Sequence, residues 1–252
     1  MSLPPPHSGY SFTKTLHNDI YVAIDPTKSD LSQPSKVVLV TGAGRGIGRS
    51  IALQYAQADV ACIVLCARSS LELDSVEKEI QNTRSNVRVR KFTVDVANEK
   101  SVVHVAKTVL DEEGRLDVLI NNAGTSNPWT PITESDATGY WETFNVNFNG
   151  TYLMLKSFLP LLLETAKKEN TIVDVVNMSS IGANITFPGA SAYQVSKAAV
   201  SRLTEFVSLE YGNQGVNCVA MHPGGVLTDL AKDNLAIRDC EFPSFLWAGE
   251  RC

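Results

Sequence analysis

Tyr193 and Lys197 stand four positions apart in Tyr193-Gln-Val-Ser-Lys197. On a helix that spacing puts both side chains on one face, where an ammonium beside a phenol depresses the phenol pKa from about 10 and makes it a usable proton donor or acceptor. The spacing alone is weak, because 7 Tyr and 12 Lys in 252 residues give roughly 0.3 such matches by chance. Weight comes from its company, in order: Asn121-Asn122-Ala123-Gly124, then Asn147, then Ser179-Ser180. Taken singly, Ser180 also reads as a turn hydroxyl, Asn147 as a helix residue bonded to its own turn and Lys197 as a solvated charge.

A second constellation lies near the N-terminus, where Thr41-Gly42-Ala43-Gly44-Arg45-Gly46-Ile47-Gly48 separates an apolar run from a helical one. Glycines between a strand and a helix let a pyrophosphate approach the helix N-terminus, whose free N–H groups and positive dipole end favour an anion. The next strand ends in Cys66-Ala67-Arg68-Ser69. An acid there would hydrogen-bond the ribose of an adenosine; Arg68 is suited to a 2′-phosphate instead, with Arg45 as a second positive charge. Both arginines also read as ordinary solvated charges. His222 reads as a packed strand-end residue, and no His, Cys or acidic grouping proposes a metal.

The elements that must hold these groups follow from periodicity. Short β-rich apolar runs occupy 37–40, 60–66, 87–94, 116–120, 172–178 and 216–221, and amphipathic segments lie near 46–57, 70–83, 99–113, 137–166 and 190–212. Strands apolar on both faces and separated by helices predict an α/β fold: a Rossmann-type, doubly wound parallel sheet of about six strands with helices on both faces. Residues 1–35, with five prolines, read as an irregular arm whose Tyr10, Phe12, Tyr21, Val22 and Ile24 are candidates to dock on the domain; residues 36–252 read as one domain.

Hydrophobic residues make up 44% and charged residues 19% of the chain, which suits a globular core and excludes a disordered chain. A net charge of -5 argues against nucleic acid as partner. The most apolar stretch, 151–163, is broken by Lys156 and Pro160, too short for a membrane span. Five cysteines without a CxxC pair, and a start lacking a basic and apolar leader, lead to a cytoplasmic expectation with reduced thiols and a small-molecule partner.

These motifs, from TGAGRGIG through Asp95-Val96, NNAG, Asn147-Phe-Asn-Gly150, Ser180 and Tyr193/Lys197 to Pro223-Gly224-Gly-Val226-Leu-Thr228, resemble the classical short-chain dehydrogenase/reductase family over about residues 36–230. The resemblance implies that Ser180 binds the substrate oxygen and Tyr193 is the general acid/base. It further implies that Lys197 serves the phenol and a nicotinamide ribose, and that Asn147 holds a water in a proton relay. As cofactor contacts it implies Gly42, Arg45, Gly46, Ile47 and Gly48; Arg68; Asp95 at the adenine; Asn122, Ala123 and Gly124; Tyr193 and Lys197; and Pro223, Gly224, Val226 and Thr228. The expected function is NADP(H)-dependent interconversion of a carbonyl and an alcohol; an NAD(H)-dependent dehydrogenase and a dinucleotide-binding module with little turnover are the alternatives. Only 24 residues follow Thr228, and Cys240–Cys252 offers no strand. The family's seventh strand is therefore expected to be missing, its dimer or tetramer doubtful, and Val216, Cys218 and Ala220 of the sixth strand left on an exposed edge. Trp129, Trp141 and Phe187 are apolar hints of a substrate wall.

Overall fold

The computed structural model describes residues 17, 19–84, 86–226 and 228–232. Six parallel strands form one sheet: β1 (Val37–Thr41), β2 (Cys62–Ala67), β3 (Arg88–Thr93), β4 (Val118–Asn121), β5 (Val173–Met178) and β6 (Val216–Met221), in the order β3-β2-β1-β4-β5-β6. They alternate with α1 (Gly46–Gln57), α2 (Ser70–Thr83), α3 (Glu99–Glu113), α4 (Ala137–Phe144), α5 (Gly150–Glu169) and α6 (Ser191–Tyr211), and a short α7 (Asp229–Lys232) follows β6. The chain builds outward from β1 to β3, then crosses back to β4 and builds the other way. That reversal opens a crevice at the C-terminal ends of β1 and β4, where such sheets take their ligands.

The pleat explains why β1 and β2 are apolar throughout. Val37 and Leu39 face a core shared with Val102 and Val105 of α3 and Phe158 and Leu162 of α5, while Val38 and Val40 face Ala52 and Ala56 of α1 and Leu73, Val76 and Ile80 of α2. Register is tight across the reversal, with Val38 opposite Val118 and Val40 opposite Ile120.

Three sequence expectations need correction. β3 is not apolar on both faces: Arg88 and Arg90 pair with Glu113, and Lys91 with Asp74 and Glu77, so this edge is protected by charge. On β6 Val216 and Cys218 are buried, while Ala220 is exposed as expected, together with Val219 and Met221, 42% and 43% exposed. Among the described residues β6 has no outer strand; Cys240–Cys252 lies outside them. In the arm, Tyr21, Val22 and Ile24 are exposed, and contact is made by the backbone instead, Gln33 N–H donating to Ala58 O at 2.7 Å. Tyr10 and Phe12 lie outside the described residues.

The amphipathic segment expected over 137–166 is three pieces. α4 passes into one π-helical stretch, Asn145–Asn149, before α5 resumes and runs to Glu169, and Asn170 ends it at φ 47°. A π-turn inserts an extra residue into the helical ladder and re-aims the side chains it carries. Here it carries the buried Asn147.

Candidate active site

Segments at the C-terminal ends of all six strands enclose a cleft of about 430 Å³, lined by the glycine turn, the ends of β2 and β3, Asn122–Thr125, Met178 and Ser179, Tyr193, Lys197, Pro223 and Thr228. The turn after β1 needs its glycines for separate reasons. Gly42 has φ +64°, and a Cβ there would lie 2.9 Å from Asn122 Nδ2 and 3.0 Å from Ala123 Cα. Gly48 holds no special angle, but its Cβ would stand 2.2 Å from Gly42 O, so it lets α1 pack onto the turn and does not itself line the cleft.

The loop after β4 is sewn to this turn. Thr41 Oγ1 accepts the N–H groups of Asn122 and Ala123 at 2.9 and 3.0 Å, and Asn122 Nδ2 donates to Thr41 O at 2.9 Å. Ser69, Asn98 and Asp136 cap α2, α3 and α4 through side-chain oxygens, whereas Arg45 offers α1 no such cap. The first N–H groups of α1, the positive end of its dipole and the glycine clearance together fit the pyrophosphate of a dinucleotide.

Around the adenosine end the expected residues gather. Arg68 is exposed at the end of β2. Asp95 accepts the N–H of Ala97 at 2.9 Å, which fixes the loop after β3. Arg45 is committed to Asp229 of α7 at 3.0 Å, and Thr228 packs over the turn, its Cγ2 3.3 Å from a Cβ built on Gly46. Pro223 and Thr228 line the cleft; Gly224 bends the backbone at φ +87°, and Val226 O accepts the Thr228 N–H, but neither of these two lines it.

At the other end α6 presents Tyr193 and Lys197 one turn apart, with Nζ 5.7 Å from the phenol ring centroid. Lys197 is buried and donates to Met178 O, the last carbonyl of β5, at 2.7 Å; burial brings its ammonium down to about 8. Burial pushes the Tyr193 phenol up, opposed by a hydrogen bond with Ser180. The expectation of a phenol depressed by its lysine is therefore not met in this state, because Nζ engages a carbonyl and desolvation prevails. Ser180 Oγ also accepts the Gly182 N–H at 3.1 Å, which turns the loop after β5 around the phenol.

Asn147 sits behind this pair rather than in the cleft. Its Oδ1 accepts the Thr125 N–H at 2.8 Å, and its Nδ2 donates to Thr125 O and Ser196 Oγ, both at 3.0 Å. A Cβ on Gly124 would lie 3.2 Å from Asn147 Oδ1 and 3.5 Å from Lys197 Nζ, so Gly124 is the narrow partition between them. Trp129 and Phe187 stack at 6.2 Å with 17° between planes, joining the loops after β4 and β5, whereas Trp141 is exposed on α4.

Three further residues have roles that spacing did not isolate. Thr41 binds the two loops, as above. Ser179 Oγ donates to Lys197 O at 3.1 Å and lies 2.8 Å from Ser201 Oγ, anchoring α6 under the reactive pair. Glu72, in the first turn of α2, lines the cleft within 4.0 Å of Arg45. The signals were faint: Thr41 and Ser179 stand at the edges of the quoted motifs, and Glu72 stands three residues after the N-cap Ser69, the spacing of a helix-capping box. Among the described residues no group of three or more His, Cys, Asp or Glu is placed to hold a metal ion, and no helix is long and apolar enough to cross a membrane.

The profile of the short chain dehydrogenase family matches residues 36–238. A short chain dehydrogenase of Monascus purpureus, mpl6, is 44% identical over 234 residues, 91% of this chain and 77% of that protein. A short chain dehydrogenase from Shigella flexneri, solved with NADP, superposes with a TM-score of 0.77 at 26% identity over 87% of this chain and 88% of that one. The 3-ketoacyl-(acyl-carrier-protein) reductase of Brucella melitensis, solved with NADH, gives 0.74 at 26% identity over 81% of both chains. With the glycine turn, the crevice at the strand reversal and the Tyr193/Lys197 pair agreeing with these matches, the chain belongs to the short-chain dehydrogenase/reductase family of oxidoreductases.

Proposed function

We propose that the chain reduces a carbonyl compound, or oxidises the corresponding alcohol, with NADP(H) preferred over NAD(H). The observation that supports this reading is that the Tyr193 phenol, hydrogen-bonded to Ser180 of the loop after β5, and the Lys197 side chain line one cleft with an anion-suited glycine turn. Gly42, Gly46, Ile47 and the N-terminus of α1 would hold the pyrophosphate; Arg45, Arg68 and Asp95 would flank the adenosine; Asn122–Gly124, Pro223 and Thr228 would flank the nicotinamide end. When bound, the nicotinamide ring gives or takes the hydride at the reacting carbon.

The protein's part is the proton. Ser180 and Tyr193 both donate hydrogen bonds to the carbonyl oxygen, and the phenolic proton passes to it as negative charge develops, leaving a phenolate on Tyr193. A phenol pushed up by burial stays protonated at neutral pH, which favours the reducing direction; alcohol oxidation requires the phenolate and gains rate as pH rises. Asn147 holds the β4 loop at Thr125 and ties it to α6 through Ser196 Oγ, the residue before Lys197.

Cofactor-consumption assays over ketones of graded size test this reading. Tyr193→Phe is expected to lower kcat by about two to four orders of magnitude with cofactor affinity nearly unchanged. A variant retaining more than a tenth of the wild-type rate would remove the tyrosine from the proton step. NADPH is expected to bind more tightly than NADH, and Arg68→Ala to narrow the gap by about five- to tenfold without weakening NADH. Equal constants, or a preference for NADH, would overturn the NADP(H) preference. One relative was solved with NADP and another with NADH, so the likeness alone favours neither cofactor for this chain.

A further inference from the structure

The adenosine end of the cleft carries a carboxylate that comes from a helix and not from the end of β2. Glu72 donates its backbone N–H to Ser69 Oγ at 3.3 Å, which seats it in the first turn of α2. Its side chain then reaches over the glycine turn. A Cβ built on Gly44 would lie 2.6 Å from Glu72 Oε2 and 2.8 Å from Glu72 Cβ. Gly44 has no positive φ, so the backbone would accept alanine; what requires glycine at this position is the approach of Glu72.

Charge at this end is balanced. Glu72 Oε1 stands 4.0 Å from Arg45 Nε, and Arg45 Nη1 is 3.0 Å from Asp229 Oδ2. Arg45, Arg68, Glu72 and Asp229 all line the cleft, so two guanidiniums face two carboxylates. A 2′-phosphate brought here must share Arg45 with carboxylates already beside it. A ribose hydroxyl meets the opposite situation, because an ionised carboxylate accepts hydrogen bonds and donates none.

We infer, building on the reading that this end takes the adenosine ribose, that Glu72 is a specificity-determining residue. Its carboxylate accepts a hydrogen bond from the unsubstituted ribose and repels a 2′-phosphate, and it thereby narrows the preference that Arg45 and Arg68 confer. The chain is thus built to work with both dinucleotides, the balance being set by one acid on α2 against two arginines on the loops.

The test is the ratio of the NADH and NADPH dissociation constants, measured on the full chain for wild type, Glu72→Gln and Gly44→Ala. Glu72→Gln keeps size and the backbone cap, and is expected to shift the ratio about tenfold toward NADPH, with less effect at high salt. Gly44→Ala displaces the same carboxylate and is expected to shift it in the same direction. A ratio unchanged within twofold in Glu72→Gln, or a shift toward NADH, would overturn the assignment. The assignment rests on a change in the ratio, so a wild type that prefers NADH would overturn the NADP(H) preference and leave the role of Glu72 standing. A wild type that binds neither dinucleotide would overturn both.

Discussion

Lys197 is the residue on which the chemistry of the site depends most heavily, since it holds an ammonium with a single carbonyl partner inside the protein. Burial lowers its pKa from 10.5 to about 8, so the folded chain disfavours the charged form. The sign follows directly. The penalty is complete below about pH 8 and is relieved as pH rises toward the unfolded value of 10.5. Across that window wild type is expected to gain up to about 3 kcal/mol of stability relative to Lys197→Met. Urea unfolding at pH 7.5 and pH 10 measures it; parallel behaviour of the two proteins would show that the ammonium is better solvated than its surroundings indicate. An anion entering the cleft would raise this pKa again, so at and above about pH 8 the charge on Lys197 would follow cofactor occupancy.

Among the elements, the π-turn between α4 and α5 is the one with a purpose beyond packing. It swings Asn147 inward to hold both polar groups of Thr125. Asn147→Ala strands that N–H and C=O, and is expected to cost about 1 to 3 kcal/mol and to lower activity with it. Thermal melting should drop by about 2 to 12 °C, while Asn149→Ala in the same turn, whose side chain donates to exposed Asn145, should melt like wild type. The sequence announced this region only as one long amphipathic segment, because a single inserted residue leaves the apolar stripe almost intact. It announced β1, β2 and β6 well, since their apolar runs are short and bounded by glycine or polar turns. It misjudged β3, whose Arg-Val-Arg-Lys-Phe-Thr alternates only weakly; its neighbours are salt-bridge partners from α2 and α3, invisible to any local window. At the site, glycines, Tyr193 and Lys197 stood out by type and spacing. Glu72 and Ser179 did not, because their importance lies in contacts across the fold.

At the scale of the molecule, the described residues leave apolar side chains outward at one end of the sheet. Val219 and Met221 face away from α6, while Val216 and Cys218 are buried. Val219→Thr is expected to change stability by less than about 0.5 kcal/mol, as exposed substitutions do, and to reduce binding of a hydrophobic dye. A loss of more than about 2 kcal/mol would mean that this face is covered in solution. Among the described residues the other end of the sheet is closed by charge and the β6 end is not. The strand order also has a consequence in time. β1 takes its second neighbour from residues 118–120, about 80 positions later in the chain. At about 5 to 20 residues per second, a ribosome needs roughly 4 to 16 seconds to make that stretch. For that interval Val38, Leu39 and Val40 are a half-paired seam in a nascent chain, and the two walls of the crevice do not yet exist together. The newborn protein therefore passes through a stage in which its fully buried first strand is open to chaperones and to other nascent chains before it can hold any dinucleotide.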